Sequence, residues 1–322
     1  MKALVYKAKG APLAHEDITL DAPAAGEVIV NLQAAALNHR DNWITKGMYP
    51  GIRENIILGS DGAGTVDGRE VILNPNINWG DNQRFPSPDY HMLGMPTHGT
   101  FAEQIVVAAD RAVDKPAHLS MEQAAALPLA GLTAYRALFS RCGAKAGEKV
   151  LISGVGGGVA LFACQFAIAA GCEVYVTSGS ADKIAKAKAL GAAGGANYRE
   201  TDWAKSLKKS TGGFDVIIDS AGGKGFADLV KLTKRGARLG LYGGTRGNWQ
   251  DVSPQIVFFN QIDIMGSTMG SDQDFAEMVA FVGQHKIAPV VDATFPLSQG
   301  NDAIARMDNG EQFGKIVLTI NA

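Results

Sequence analysis

Apolar residues follow two different patterns along the chain, with a change near residue 118. Before it, short apolar runs that favour β-strands are separated by frequent Gly and Pro, as at 27–33, 70–73 and 101–108. Beyond it, helical stretches alternate with strands predicted at 149–153, 173–177, 214–219, 237–242 and 262–266. The first pattern indicates a β-rich, partly barrel-like domain, and the second indicates a doubly wound parallel sheet.

The other predicted helices and strands indicate the boundaries of the two domains. Ser120 is a predicted N-cap, and helical character continues from 131 to 141. The chain closes with helices near 275–284 and 298–307 and a strand over 315–320. We therefore predict an α/β protein with a β-rich domain over 1–118 and 270–322 and a parallel-sheet domain over 119–269. The segment 74–98, rich in Pro, Asn and Gly, is interpreted as a covering loop.

An apolar strand that runs through a glycine cluster into a helix is the most informative segment. The strand is Val150 to Ser153, the helix begins at Val159, and Gly156, Gly157 and Gly158 lie between them. Main-chain N–H groups at such a turn bind a pyrophosphate, because the positive end of the helix dipole points there. The three positions of the G-x-G-x-x-G pattern hold Val155, Gly157 and Ala160, so only the middle glycine is kept. A tight turn without a ligand is the alternative.

Composition excludes several classes of protein. The 322 residues suffice for two cores, and 46% hydrophobic with 19% charged residues is ordinary for a globular protein. A net charge of −2 without a basic cluster argues against nucleic acid as a partner. Residues 1–6 resemble a strand rather than a signal peptide, and no apolar run is long enough to cross a bilayer, so we expect a cytoplasmic protein and no membrane partner. Three cysteines are too few for a disulfide framework.

The end of the strand 173–177 carries information about the cofactor. An acidic side chain that would bind the 2′-OH of NAD is expected roughly twenty residues after the glycine turn. Ser178 and Lys183 stand there instead, and they would favour a 2′-phosphate, so we predict NADPH. Asp182 follows the predicted N-cap Ser180, where a carboxylate interacts with the helix dipole without touching ribose. In the alternative, Lys183 belongs with Lys186 and Lys188 to a solvated helix face.

Several segments together carry a resemblance to a known family: 35–41, 58–64, 124–135, 189–192, 265–269 and 314–318, besides the glycine turn. On these segments the chain resembles the medium-chain dehydrogenase/reductase superfamily over essentially its whole length, and within it the zinc-independent quinone oxidoreductase branch. The resemblance implies a Rossmann domain, a GroES-like catalytic domain and a homodimer formed through the edge strand 262–266. Two departures are Ala160, where the family has a glycine, and a hairpin between Val66 and Val71 that is shorter than usual.

Zinc-dependent members of this superfamily hold a catalytic zinc with cysteine and histidine ligands. The matching positions here are Asn38 and the pair Ser60-Asp61, and the segment 74–98 has no cysteines for a structural zinc. His91 and His98 flank that loop and are interpreted as solvated residues, with an adventitious metal site as the alternative. We therefore predict no metal.

Without a Lewis acid, the negative charge that hydride transfer creates on oxygen needs hydrogen-bond donors. Asn38 and Tyr49 are the candidate catalytic donors; bracing of a turn and simple packing are their alternatives. The resemblance implies that Thr133, Gly266 and Ser267 contact the nicotinamide, that Tyr198 reaches the adenosine phosphate, and that Lys315 approaches the pyrophosphate. Gly243 and Val159 complete the predicted cofactor set.

These observations favour an NADPH-dependent, zinc-independent reductase that transfers hydride to a quinone or an α,β-unsaturated carbonyl. Alcohol oxidation is disfavoured because nothing evident would remove the hydroxyl proton. Two alternatives stay open: a zinc-type alcohol or aldehyde dehydrogenase, and a dinucleotide-binding redox sensor without catalytic activity.

Overall fold

The computed structural model describes residues 1–320. They form two compact units, Met1–Ala130 with the segment from Ser271 onward, and Gly131–Gly270. The division falls after Ala130, twelve residues beyond the expected boundary at 118, and the helix Met121–Ala126 belongs to the first unit. No helix in the described part of the chain is both long and apolar enough to cross a bilayer.

The strands run in chain order β1 (Lys2–Tyr6), β2 (Ala14–Asp17), β3 (Glu27–Ala36), β4 (Ile56–Ile57), β5 (Asp61–Val66), β6 (Arg69–Leu73), β7 (Asn76–Ile77), β8 (His91–Met92), β9 (Gln104–Ala108), β10 (Ala112–Asp114), β11 (Lys149–Ile152), β12 (Glu173–Ser178), β13 (Gly194–Asn197), β14 (Phe214–Asp219), β15 (Thr233–Leu241), β16 (Asp263–Gly266), β17 (Val291–Pro296) and β18 (Lys315–Thr319). The helices are α1 (His39–Thr45), α2 (Met121–Ala126), α3 (Pro128–Tyr135), α4 (Gly158–Ala169), α5 (Ala181–Ala189), α6 (Trp203–Thr211), α7 (Phe226–Leu232), α8 (Pro254–Phe259), α9 (Asp272–His285) and α10 (Gly300–Asp308).

The first unit is β-rich, as predicted. Its largest sheet runs β10-β6-β5-β3-β18-β17, with β9 also paired to β3. β3 is the central strand of this sheet, and its ten residues pair antiparallel with β5, β9 and β18. Buried Leu32, Phe101 and Ile316 pack in the core beneath these strands. The short hairpin between β5 and β6 turns through Asp67 and Gly68, both with positive φ, as in the two-residue turns that suit twisted strands.

The second unit contains one six-stranded parallel sheet in the order β13-β12-β11-β14-β15-β16. The predicted Rossmann sheet is therefore confirmed, with β13 as an additional strand. Its central strands bury Leu151, Ile217 and Leu239, as is typical of parallel sheets whose two faces are covered by helices. The predicted helix over 131–141 consists of the end of α3 and a π-helical segment, Arg136–Arg141.

The covering segment 74–98 contains the small hairpin of β7 and β8. The side chain of Trp79 is buried in it and packs edge-on against Tyr90, with ring centroids 5.1 Å apart. The segment is therefore packed by its own aromatic side chains.

Candidate active site

The carboxyl edge of the parallel sheet gathers most of the predicted cofactor residues. β11 and β14 are neighbours in the sheet, but the chain continues from β11 to β12 on one side and from β14 to β15 on the other. Open α/β sheets bind ligands in the crevice at the carboxyl ends of two such strands. The glycine turn follows β11, Ser178 ends β12, and Gly243 and Ser267 follow β15 and β16. A dinucleotide would find all these groups within one unit of the chain.

The glycine turn leaves its backbone open. Gly157 is the N-cap of α4 and has no side chain to bond the first-turn N–H groups, which leaves them available to a pyrophosphate. Gly156 has φ of +143°, a conformation that L-residues with a side chain rarely adopt. The Lys183 side chain lies across this turn, with its Cδ 2.9 Å from the point where a Cβ of residue 156 would stand. The glycine turn and Lys183, predicted separately, therefore lie together.

A second group of polar side chains lies at the ends of β12 and β13. The Tyr198 N–H donates to the carbonyl of Ser178 over 3.2 Å, and the Tyr198 phenol is partly exposed. Arg199 and Tyr198 both lie against Gly179, the Arg199 Nε 2.8 Å and the Tyr198 hydroxyl 2.9 Å from the position a Cβ there would take. Because residue 179 has no side chain, a cation and a phenol reach the end of β12 together.

Asp182, the acidic residue that follows β12 most closely in the sequence, forms an ion pair away from the end of that strand. Asp182 forms an exposed ion pair with Lys186, 2.9 Å between Oδ2 and Nζ, one turn along α5. Ser180 caps α5 by accepting from the Lys183 N–H. Among residues 1–320 the guanidinium of Arg199 has no carboxylate partner. The end of β12 therefore carries positive charge without a compensating acid.

The remaining predicted cofactor residues of this unit surround the ends of β15 and β16. Gly243 lies against the Ser220 carbonyl, and the Gly266 carbonyl accepts a hydrogen bond of 2.9 Å from the Arg141 Nε. The Ser267 hydroxyl is buried and has no partner in the described chain. Thr133 is buried, with its hydroxyl 3.7 Å from the Met269 sulfur. An unsatisfied buried hydroxyl suits a ligand that accepts or donates there.

The first unit contains a separate buried polar cluster, defined here as Asn38, Asp61 and Lys315. Strand β3 lies between β5 and β18, and Ala36 pairs with Asp61 on one side and Val317 on the other. Extending the second register by two residues brings Asn38 opposite Lys315. The end of β3 and the first residues of β5 and β18 therefore bring together Asn38, Asp61 and Lys315, which are far apart in the sequence.

The hydrogen bonds in this polar cluster are short and mutually supporting. The Lys315 Nζ donates to the Asn38 Oδ1 over 2.6 Å and lies 2.9 Å from the Asp61 Oδ2. The Asn38 amide nitrogen also donates to that carboxylate oxygen over 2.9 Å. The other oxygen of Asp61 accepts the N–H of Leu129 over 2.7 Å. Asp61 is fully buried and Lys315 is 4% exposed, so this ion pair is held in a low-dielectric environment.

A second set of groups borders the polar cluster. Tyr49, the other predicted catalytic residue, lies near the buried Arg40, whose Nε is 3.4 Å from the phenol oxygen and whose guanidinium carbon is 5.0 Å from the ring centre. Arg40 also donates to the Ser60 hydroxyl and to the Leu93 carbonyl, at 2.5 Å and 2.9 Å. Tyr49 is thus not in hydrogen-bond contact with Asn38, and it reaches Ser60 only through Arg40.

Asp41 is the most perturbed acid of this region. One of its oxygens accepts the Asn38 N–H over 2.8 Å, and the other, Oδ1, has no hydrogen-bond partner within residues 1–320. Burial raises the pKa of Asp41 from its usual 3.8 to about 6, although the nearby Arg40 opposes the rise. The Asp41 carboxyl group therefore caps the first turn of α1 through the Asn38 N–H, and burial makes its charged form unfavourable there.

These residues do not fit a catalytic zinc. Zinc sites use thiolate, imidazole and carboxylate ligands, and the positions in question present an amide, a hydroxyl and a carboxylate that a lysine ammonium already neutralises. In the described part of the chain, no group of three or more His, Cys, Asp or Glu side chains is arranged to hold a metal. The His98 Nδ1 accepts the Ile57 N–H, and the His91 Nδ1 lies 3.0 Å from the Asp89 carbonyl.

Two functional candidates were not predicted from the sequence. Arg199 was missed because β13, Gly194–Asn197, has too little strand propensity to be identified, so the residues after it were not assigned to the sheet edge. The contact of Asp61 with Lys315 was missed because 254 residues separate them and no local pattern reports such pairing. The signal available for Arg199 was its position directly after Tyr198.

Fold and site together define an oxidoreductase of the two-domain, dinucleotide-binding class, and comparison with known proteins agrees. The family model described as "Alcohol dehydrogenase GroES-like domain" matches residues 24–117, and "Zinc-binding dehydrogenase" matches residues 158–284. The chain is 36% identical to the zinc-type alcohol dehydrogenase-like protein YogA of Leptosphaeria maculans, over 98% of this chain and 97% of the relative. The chain therefore belongs to the medium-chain dehydrogenase/reductase superfamily, as the resemblance implied.

Two solved structures show the same fold over the whole chain. An NAD-dependent alcohol dehydrogenase superposes with a TM-score of 0.94 at 36% identity and full coverage of both chains. The quinone oxidoreductase of Thermus thermophilus, known also in complex with NADPH, superposes with a TM-score of 0.84 at 28% identity, covering 99% of this chain and all of the other. Relatives with either cofactor and either activity thus share this architecture.

Proposed function

We propose that this oxidoreductase is an NADPH-dependent, zinc-independent reductase that transfers hydride to a quinone or an α,β-unsaturated carbonyl. The observation that carries the cofactor assignment is the group Ser178, Tyr198 and Arg199 at the ends of β12 and β13. Lys183 lies over the glycine turn, and Asp182 is paired with Lys186. Hydroxyl donors and cations bind a 2′-phosphate, whereas the ribose 2′-OH of NAD calls for an acidic side chain. NADPH, when bound, supplies the hydride.

Support for a reductase without zinc comes from the polar cluster. The amide of Asn38, the carboxylate of Asp61 and the ammonium of Lys315 are hydrogen-bonded to one another and offer no thiol or imidazole. A hydrogen-bond donor suffices to stabilise charge on a carbonyl oxygen during reduction, whereas alcohol oxidation needs a group that removes the hydroxyl proton. Asn38 and Tyr49 remain the candidate donors named from the sequence.

The cofactor assignment is tested by replacing Arg199. In Arg199→Ala, the dissociation constant for NADPH, measured by fluorescence titration, is expected to rise by about tenfold or more, because a charge-assisted hydrogen bond contributes on the order of 1.4 kcal/mol or more. The dissociation constant for NADH is expected to stay within about twofold, since it lacks the phosphate. Lys188→Ala, at an exposed lysine of the same helix α5, is the matched control and is expected to change neither constant.

The activity is tested with NADPH and NADH in parallel against benzoquinones, naphthoquinones, enones and simple aldehydes, with and without a strong chelator. Turnover with quinones or enones that survives chelation supports the proposal. Loss of turnover on chelation, with recovery on adding Zn²⁺, would instead support a zinc-type alcohol dehydrogenase. Tight NADPH binding without oxidation by any acceptor would indicate a redox sensor and overturn the proposed reaction.

A further inference from the structure

The ammonium group of Lys315 has an unused donor. An ammonium has three hydrogens, and two of them are directed to the Asn38 Oδ1 and the Asp61 Oδ2. The third finds no acceptor among residues 1–320. Lys315 is therefore a buried cation with one N–H available to a ligand.

The cation is held in one position. Asp61 receives the Leu129 N–H on one oxygen and both Asn38 and Lys315 on the other, so its carboxylate cannot rotate without breaking several hydrogen bonds. The backbone of Lys315 is fixed as the first residue of β18, and its N–H donates to the Val290 carbonyl. A charged group that is already in position stabilises a transition state effectively, because the protein does not have to rearrange when the reaction begins.

Lys315 is a stronger candidate donor than Asn38. The Asn38 amide already donates to Asp61, and its oxygen faces the ammonium. Charge-assisted hydrogen bonds are roughly twice as strong as neutral ones, particularly where water is excluded. Asn38 and Asp61 therefore serve as positioning residues that direct the ammonium.

Resting on the proposed function, we propose that the free N–H of the Lys315 ammonium binds the carbonyl oxygen of the acceptor and stabilises the negative charge that forms there. Bound NADPH would supply the hydride that adds to the acceptor carbon, and NADP⁺ would remain. In an enone, a C–H bond forms at the β-carbon, the π electrons move to oxygen, and water protonates the α-carbon of the enolate. In a quinone, a C–H bond forms at a ring carbon, the π electrons move to the conjugated carbonyl oxygen, and proton uptake from water followed by tautomerisation gives the hydroquinone. Lys315 keeps its three protons throughout.

The test replaces Lys315 by methionine, which is of similar length but has no charge. Lys315→Met is expected to lower kcat for enones by about 10²–10³-fold, as removal of an oxyanion donor does in other enzymes. The loss is expected to grow with the basicity of the acceptor oxygen, so electron-poor quinones are affected least. The dissociation constant for NADPH should stay within about twofold. A dependence on acceptor basicity is a readout that a purely structural role would not produce.

A matched control is available in the same unit. Lys115 is also buried, and its ammonium lies 3.1 Å from a carboxylate oxygen of Glu70. Lys115→Met removes an ion pair with a buried lysine but an exposed carboxylate, 58% exposed against 0% for Asp61, and is expected to leave kcat unchanged for every acceptor. If Lys315→Met proves unstable, Lys315→Gln keeps a neutral N–H and allows the same acceptor series to be measured, with a smaller but graded loss.

Three results would overturn the inference. A rise in the NADPH dissociation constant with equal loss for all acceptors would assign Lys315 to the pyrophosphate, as the family resemblance implies. An equal loss of kcat with unchanged NADPH affinity would assign it a structural role. If none of the acceptors is reduced by NADPH in the presence of the unaltered protein, the proposed function itself fails, and this is recognised before any variant is made.

Discussion

Asp41 shows how a single buried group makes stability depend on pH. Its pKa lies above the usual value because burial penalises the charged form, so the folded chain holds this proton more tightly than the unfolded chain. Its stabilising contribution is therefore fully present below about pH 4 and is lost as the pH rises through about 6. With a folded pKa of about 6 against 3.8, the difference corresponds to about 3 kcal/mol.

Replacing Asp41 by asparagine should remove this pH dependence. The amide oxygen of Asp41→Asn still accepts the Asn38 N–H, while the group no longer titrates. The difference in unfolding free energy between variant and unaltered protein, measured with urea from pH 4 to pH 8, is expected to shift in favour of the variant by about 2–3 kcal/mol. Asp21→Asn on the surface is the control. A difference that stays constant with pH would contradict the interpretation.

At the residue scale, the sequence located side chains but not their partners. Asn38 and Ser60-Asp61 were recognised as positions where relatives hold zinc, and Lys315 as a functional lysine. Their hydrogen bonds depend on β3 lying between β5 and β18. This pairing joins segments far apart in the chain, and no local periodicity encodes it. Tertiary contacts of this kind therefore have to come from the structure.

Elements with strong apolar patterns were predicted well, and weakly patterned ones were missed. β11, β12 and β14 are rich in apolar residues, and the structure confirms them with end shifts of at most one residue. β5 and β13 contain mostly Gly, Ala, Asp and Asn, which are depleted in strands, yet both are paired on at least one side. Both segments are strands because backbone hydrogen bonds to neighbouring strands hold them extended, although their own residues have low strand propensity.

The turn between β11 and α4 gives a prediction at the scale of the element. Gly156→Ala places a Cβ in a conformation with φ of +143°, which costs on the order of 1–3 kcal/mol, and the Cβ would lie 2.9 Å from the Lys183 Cδ. Because we propose that the turn binds the pyrophosphate common to both cofactors, the dissociation constants for NADPH and NADH are expected to rise alike, by about tenfold. This differs from Arg199→Ala, which affects NADPH alone.

Backbone strain alone has to be separated from the effect on binding. Gly147 also has positive φ, +82°, in the turn before β11, and its position has open space around it. Gly147→Ala should therefore lower the melting temperature to a similar extent without changing either dissociation constant. Equal weakening of cofactor binding in both variants would show that strain acts through the whole unit, and would remove the glycine turn from the proposed binding site.

At the scale of the whole molecule, the two-part architecture followed from the change of apolar pattern, because half-buried antiparallel strands and fully buried parallel strands have different compositions. The strand order did not follow from pattern alone. The order β13-β12-β11-β14-β15-β16 is known from the structure, whereas the sequence predicts only that the sheet is parallel. The positions of the contact boundaries, after Ala130 and Gly270, depend on where helices pack and not on where patterns change.

The edge of that sheet leads to a prediction about assembly. β16 pairs only with β15, so in the described chain its outer edge has no partner, and unpaired edges invite pairing with another copy. Immediately before it, Phe258 and Phe259 are 54% and 74% exposed, with ring centroids 4.6 Å apart. Exposed aromatic pairs beside a free edge are typical of a contact surface. We therefore propose a homodimer in which this edge meets its own copy around a two-fold axis.

Light scattering after size exclusion tests the homodimer. The unaltered protein is expected at twice the chain mass of 33.8 kDa, and Phe259→Glu at the mass of one chain, because burying a carboxylate in an apolar contact is strongly unfavourable. Phe85→Glu, at a phenylalanine 57% exposed in the first unit, is the matched control and should leave the mass unchanged. Since Phe259 lies outside the cofactor group and the polar cluster, NADPH affinity should persist in the monomer. A variant that remains at twice the chain mass would place the contact elsewhere.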